Sequence, residues 1–424
     1  MHLRLLICTL LITLSVSRCQ SQWRPPVVDI TEKDTVGYGF LRDQANVIEN
    51  ATQLKPFFNK LYLQRTQGGS KVNVVHIGDS HILGNFLTNE VRHRLQNEFG
   101  DAGRGVIFPY KLINSNGPRD YLVSSTARWS GTNCTRDLND ITNYGISGFS
   151  AITNTPNGAI TFRLRDTSAS TTSMFTKVTV FFRNDEQSTG VIVEDESTRQ
   201  LADAVLEDEF SQTFYFDRPV SECTIKLKKG DSKKGLWLDG ISIDNERAGL
   251  IYHSIGVNGA KFSDFGRSKY FARQMKELTP DLVILSFGTN EAQAKASPTL
   301  LEKQMDDLIS QILTQWPHAA ILLTTPADSY LRGKGFNPYM SDVSDIIRQY
   351  ARKKDYALWD LFNIGGGANS AAAWKSNGLM SSDSVHYSKT GYVAQGKLLY
   401  QGLIKGYNEI AASNTAKASG EGKK

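Results

Sequence analysis

The sequence predicts an α/β protein: a parallel sheet with helices on both faces, interrupted by an inserted all-β sandwich. Three observations predict it. Buried-strand patterns alternate with helical ones before about residue 120 and again after about residue 246. Between those stretches the texture changes to period-two alternation punctuated by turn residues. At 424 residues the chain is also long enough for two or three domains.

The first helix is predicted from about Asn50 to Gln67, where Leu54, Phe57, Phe58, Leu61 and Leu63 line one face and Pro56 stands near the start. Val72-Asn73-Val74-Val75-His76-Ile77 has the pattern of a buried strand and runs straight into Gly78-Asp79-Ser80-His81. Phe86, Val91, Leu95 and Phe99 mark a second helix that closes at Gly100. From 121 to 245, Ile160/Phe162/Leu164, Val178/Val180/Phe182, Phe214/Phe216 and Cys223/Ile225/Leu227 alternate as half-buried strands do, with one short helix expected near 201–206. This stretch is read as a β-sandwich inserted into a discontinuous domain of residues 20–120 and 246–411. The α/β texture resumes at Leu250-Ile251-Tyr252, and the strand Asp281 to Phe287 ends in Gly288-Thr289-Asn290-Glu291. A helix follows with Ser297 as its cap, Pro298 at its first position, and Leu301, Met305, Leu308, Ile312 and Leu313 inward. Ala320 to Thr324 is the next strand, Val343, Ile346, Ile347 and Tyr350 line another helix, and Tyr356 to Leu361 is a further short strand. Residues 412–424 are small, polar and charged, and predict a disordered tail.

Composition narrows the function. Forty per cent of residues are hydrophobic and 21% charged, which excludes a disordered or collagen-like chain. The 48 Lys+Arg against 43 Asp+Glu leave a net charge of only +5, spread along the chain, where nucleic-acid binding would call for a concentrated basic stripe. Seven histidines and four cysteines form no cluster with zinc-like spacing.

Residues 1–19 read as a secretion signal: Arg4, an apolar core from Leu5 to Leu14, then small Ser15 and Ser17. The core is shorter than the roughly 20 residues of a membrane span, so the mature chain is expected to be exported to the periplasm or cell envelope. A lipid anchor on Cys19 is a minority option, since Arg18 fits that pattern poorly. In an oxidising compartment Cys134 and Cys223 can form a disulfide. The face Cys223 shares with Ile225 and Leu227 fits a buried free thiol equally well.

Ligands of such sheets gather at the carboxyl ends of the strands, and three short clusters fall there or in a late loop. Ser80 follows a strand and opens a helix, so its hydroxyl is a candidate nucleophile. A serine needs a base, and the base needs a partner that fixes its tautomer. Asp383-Ser384-Val385-His386 supplies both from one segment. A tetrahedral intermediate carries a negative oxygen, for which the Asn290 side-chain amide is a donor of the right kind. A backbone N–H of Gly256-Val257-Asn258-Gly259 is another. Each signal alone has an ordinary structural explanation as a cap or turn; their order and placement together carry the reading.

In that order the clusters resemble the conserved blocks of the SGNH/GDSL hydrolase superfamily, with His81 where lipolytic members carry Leu. The resemblance implies a doubly wound, flavodoxin-like three-layer fold. It also implies Ser80 as nucleophile, His386 as base, Asp383 as its orienter, and an oxyanion hole of the Ser80 N–H, the Gly259 N–H and the Asn290 side chain. Gly256 competes with Gly259 for its place. The Gly-Asp-Ser-His variant with a β-sandwich between the first and second blocks resembles the bacterial peptidoglycan O-acetylesterases, whose insert resembles a family 35 carbohydrate-binding module. That implies an O-acetylated glycan as partner, no cofactor, and removal of acetyl groups from cell-wall muramic acid. The competing readings are an acetylesterase for xylan or another polysaccharide, a glycan O-acetyltransferase using the same triad, and a catalytically silent glycan-binding protein. Among other polar residues, His81 is expected to be a helix-start residue and Asp79 a local turn ligand. His76 and His253 are expected in the core and His93 on the surface, while Trp129 is a candidate sugar platform and Trp237, between Leu236 and Leu238, is expected in the core.

Overall fold

The computed structural model describes residues 24–34, 36–136, 144–165, 174–183, 190–206, 209–228, 235–268 and 270–418. The expected leader and Cys19 lie outside these residues. No helix among them is long and apolar enough to cross a membrane.

A seven-stranded sheet forms the centre: β1 (Ile48–Glu49), β2 (Lys71–Gly78), β3 (Asp101–Gly103), β4 (Gly249–Gly256), β5 (Leu282–Ser286), β6 (Ala320–Thr324) and β7 (Ala357–Trp359), in spatial order β1-β7-β6-β5-β2-β4-β3. All neighbours are parallel except the edge strand β1, which pairs antiparallel with β7. Because side chains alternate across a strand, consecutive residues serve opposite layers. Val72, Val74, Leu250, Leu282 and Ile284 pack with α1 (Lys55–Gln67), α3 (Phe86–Phe99) and α6 (Lys389–Ala418). Val75, Ile77, Ile255, Val283 and Leu285 pack with α4 (Pro298–Gln315) and α5 (Tyr339–Lys353). The sheet is therefore covered on both faces, as parallel sheets require. Ser297 stands at the start of α4, but its side chain makes no capping hydrogen bond; Pro298 begins the helix as expected.

The residues between β3 and β4 build two antiparallel sheets. The smaller runs Val191–Asp195, Glu222–Leu227, Ala159–Leu164, Tyr121–Ser125. The larger runs Asp203–Leu206, Ser211–Val220, Phe175–Phe182, Leu236–Asp244, Phe149–Thr153, Ser130–Asn133. Inward residues of both, such as Phe162, Ile225, Val180 and Ile241, share one buried cluster with the α4 and α5 face of the central sheet. Gln274 ties the parts together, donating to Asp239 Oδ2 at 2.8 Å and accepting from the Ile146 amide at 2.7 Å.

Several expectations need correction. Strand Gly105–Ile107 lies before residue 121, yet it pairs with Leu236–Asp244 of the larger inserted sheet. The chain changes sheets at Gly103 (φ +138°) and Gly105 (φ +78°), a left-handed corner open to glycine. A Cβ on Gly103 would stand 2.7 Å from Asp244 Cα. Residues 203–206 form an edge strand and not a helix, paired with Thr213 to Tyr215 and Gln212. The last helix continues to Ala418, taking in the first seven residues of the expected tail, because Ala411 is fully buried and Asn414 Nδ2 donates to Asn59 Oδ1 at 2.9 Å. Residues 419–424 lie outside the description.

Cys134 and Cys223 are not bonded to each other; both are buried free thiols. Cys134 follows the edge strand of the larger sheet, its amide donating to the Gly148 carbonyl at 2.9 Å. Cys223 sits in the smaller sheet opposite Phe162 and Asp195. Burial pushes both thiols well above their ordinary range. Trp237 is half-buried, since alternation turns it away from the face of Leu236 and Leu238 and under the Arg183 guanidinium, 4.2 Å from the ring centroid. Trp129 is also half-buried, its indole N–H donating to Ser125 Oγ at 2.8 Å.

Candidate active site

Strand register decides what meets at the carboxyl edge of the sheet. Gly78, the last residue of β2, pairs with Gly256 at the end of β4 and with Ser286 at the end of β5. Three loops therefore leave the sheet side by side: Asp79-Ser80, Val257 to Gly259, and Phe287 to Asn290. Gly78 has to be glycine, because a Cβ there would lie 2.5 Å from the Ser286 carbonyl oxygen and 2.4 Å from Ile82 Cγ1. The chain then turns sharply into α2 (Ser80–Leu83), with Asp79 Oδ1 accepting from the His81 amide at 2.9 Å.

The fourth contribution comes from the loop before α6. Asp383 Oδ1 accepts from Ser381 Oγ at 2.6 Å and from the Val385 and His386 amides at 3.0 Å each, which folds 381–386 into a tight turn. Ser384 takes φ +58° in that turn, and Lys375 Nζ donates to its hydroxyl at 2.7 Å. The turn aims the His386 ring. Its Nδ1 lies 2.5 Å from Asp383 Oδ2, and its Nε2 lies 2.8 Å from Ser80 Oγ, across 306 residues of chain. With Nδ1–H donating to the carboxylate, Nε2 is the acceptor for the serine hydroxyl. Burial pushes the Asp383 carboxyl up, but its hydrogen bonds from Ser381, the His386 ring and the two amides outweigh that and hold it below the usual carboxylate range. Asp383 is thus a fixed negative charge beside the ring.

Asn290 lies half-buried between the loops, its Nδ2 donating to Ala260 O at 3.0 Å and to Asp79 Oδ2 at 3.2 Å. Glu291 beside it accepts from the Phe262 amide at 2.9 Å and the Gly288 amide at 3.0 Å, fastening the second and third loops together. Gly259 is exposed, has φ +78°, and has no heavy atom within 4 Å of where a Cβ would stand. Gly256 differs: it is buried in the sheet, and a Cβ there would lie 2.3 Å from the Leu83 amide nitrogen. Its glycine is required by that close approach.

Three neighbours were not singled out as functional by sequence reasoning. Asp79 is pushed up to about 8, first by burial and then by the nearby Glu291 charge, against the lowering effect of the His81 amide. Burial likewise raises Glu291 to about 7. His81 packs its ring 5.2 Å from that of His386 and shares a 3.0 Å hydrogen bond through Nδ1 with the Tyr392 hydroxyl. Burial and the His386 charge push His81 down to about 3, so it is a neutral wall against the His386 ring. The pairing of His81 with Tyr392, 311 residues later, left no local signal. His76 is satisfied by Tyr252 and Ser286, and His253 Nδ1 accepts from the Val106 amide. His93 is half-buried beside Arg92.

The two buried acids have a consequence for stability. Both bind a proton more tightly in the folded chain than in the unfolded one. The stability this contributes is complete below the ordinary carboxylate range near pH 4, and is lost as pH rises through about 7 and 8. Urea midpoints measured at pH 5, 7 and 9 are expected to fall in that order, and Asp79→Asn is expected to flatten the trend. Among the described residues, no group of three or more His, Cys, Asp or Glu side chains is arranged to hold a metal ion.

Residues 240–394 match the model of the GDSL-like Lipase/Acylhydrolase family. The match begins near the end of the insert, so it includes Gly259, Asn290, Asp383 and His386 but not Ser80. No curated protein matches the chain. Among solved structures, a peptidoglycan O-acetylesterase is 24% identical with a TM-score of 0.69, over 84% of this chain and 96% of that one. A lipase/acylhydrolase from Enterococcus faecalis is 16% identical over 37% of this chain and 77% of its own, with a TM-score of 0.30. A family two carbohydrate esterase from Cellvibrio japonicus is 10% identical over 68% and 99%, with a TM-score of 0.29. Residues 240–394 are thus similar to a GDSL-like lipase/acylhydrolase domain, and the chain has its fold in common with the peptidoglycan O-acetylesterase structure.

Proposed function

We propose that the protein is an exported serine esterase that removes O-acetyl groups from cell-wall glycan, peptidoglycan in particular. The observation that carries the chemistry is the chain of contacts from Ser80 Oγ to His386 Nε2 at 2.8 Å and from His386 Nδ1 to Asp383 at 2.5 Å. Ser80 Oγ attacks the acetyl carbonyl carbon while His386 Nε2 takes its proton. The negative oxygen is held by the Ser80 and Gly259 amides and by Asn290. The carbon–oxygen bond to the sugar then breaks, and His386 returns its proton to the leaving sugar oxygen. Water attacks the acetyl-Ser80 ester and gives its proton to His386. Acetate leaves, and the proton returns to Ser80. Throughout, Asp383 stays ionised and stabilises the protonated ring.

The glycan rests on likeness of fold to a peptidoglycan O-acetylesterase over most of both chains, with the export signal read from residues 1–19 as independent support. In this reading the inserted β-rich region of residues 121–245 is a glycan-binding module. The test is acetate release from O-acetylated peptidoglycan and from acetylated xylan at matched ester concentration, with the Ser80→Ala chain as blank. Peptidoglycan is expected to be the better substrate by at least about tenfold in kcat/KM, worth ~1.4 kcal/mol. Equal or faster release from xylan would overturn the assignment.

A further inference from the structure

A cavity lies along residues 108–123 and Arg165, and Asn116 in its wall is hydrogen-bonded to Asn258 of the second active-site loop. It encloses about 480 Å³ and is walled by Tyr110, Lys111, Asn116, Arg119, Tyr121 and Arg165 among others, with no acidic side chain in its lining. That volume is within the range of small-ligand sites. Lys111, Arg119 and Arg165 are exposed, and no ion pair joins them to a described carboxylate.

Asp120, the acid nearest in sequence, is already committed. It lies behind the wall, 2.6 Å from Arg104 Nε and 3.1 Å from Arg92 Nη2, all three side chains buried. Burial pushes the Asp120 carboxyl up, and the two guanidiniums outweigh it to hold Asp120 well below the usual range. One carboxylate facing two guanidiniums cannot also neutralise Arg119.

Two contacts fasten residues 116–120 to the site. Asn116 Oδ1 accepts from Asn258 Nδ2 at 2.7 Å, and Asn258 precedes Gly259. Asp120 Oδ2 accepts from Asn85 Nδ2 at 3.4 Å, and Asn85 lies just beyond α2, which Ser80 opens.

We propose that this cavity is an anion subsite that holds a carboxylate-bearing part of the ester substrate, so that the enzyme selects acidic O-acetylated glycans over neutral ones. The proposal rests on the glycan reading above and narrows it: peptidoglycan carries peptide carboxylates next to its acetylated sugars, and Arg and Lys recognise carboxylate by charge-assisted hydrogen bonds.

The test uses an O-acetylated muropeptide with free carboxylates, the same muropeptide with its carboxylates amidated, and an aryl acetate, which has no group to reach the cavity. The chain combining Lys111→Gln, Arg119→Gln and Arg165→Gln is expected to raise KM for the free-acid muropeptide about tenfold with kcat nearly unchanged. The wild-type KM for that substrate is expected to rise with added salt, and the variant's to be flat. Aryl-acetate turnover reports that the variant is folded. The same KM in both chains, or an equal rise on the amidated muropeptide, overturns the subsite alone. A wild-type enzyme that cleaves aryl acetate but neither muropeptide overturns the glycan reading and the subsite with it.

Discussion

Ser80→Ala is expected to lower kcat on an aryl acetate by about 10⁴-fold or more, the scale seen when the nucleophile of a serine triad is removed. The fold should be indifferent. Ser80 is half-buried, and its hydroxyl makes one described hydrogen bond, to His386. Its net worth is about 1 kcal/mol, a shift of no more than about 3 °C in Tm for a chain of this size. In the proposed mechanism Ser80 and His386 act as a unit, so adding His386→Ala to Ser80→Ala should cost almost nothing further. Activity retained by the single variant, or a second large loss in the double one, would remove Ser80 from its role. The stopped assay and a thermal melt on the same sample separate chemistry from folding.

How much of this was legible beforehand follows from the range of each interaction. Elements set by local periodicity came through: the run Val72 to Ile77 is β2, and Leu301, Met305, Leu308 and Ile312 are the buried stripe of α4. The short clusters were also legible, since Asp383 and His386 build their contact within one turn. What depends on partners distant in sequence was not. Strand register sets Gly78 beside Ser286 and Gly256, and nothing near residue 78 encodes it. The buried contacts of Asp120 with Arg92 and Arg104 likewise form only on folding, and no local pattern marks them. Residues 203–206 read as a short helix because an edge strand takes its pairing from one neighbour, here Ser211–Val220. Cys134 and Cys223 gave an even count, and a count carries no geometry; Cys134 lies in the turn after the edge strand of the larger sheet and Cys223 within the smaller one.

Asn290→Ala is expected to lower kcat by about 10²- to 10³-fold with little change in KM, the signature of a donor that works only on the oxyanion. The free site makes this demanding, because both described bonds of Nδ2 go to protein, at 3.0 Å to Ala260 O and 3.2 Å to Asp79 Oδ2. The longer one is the bond to give up. Burial raises Asp79 to about 8, so it is largely neutral at pH 7, and a neutral carboxyl is a weaker acceptor than a carboxylate. As negative charge develops on the substrate oxygen, the N–H gains more from turning to it than it loses at Asp79, while Ala260 keeps the amide in place. The exchange is worth most in the transition state and nothing in the ground state, which is why the loss should fall on kcat. A variant that keeps its kcat and raises only KM would make Asn290 a binding residue and leave the oxyanion to the two backbone amides.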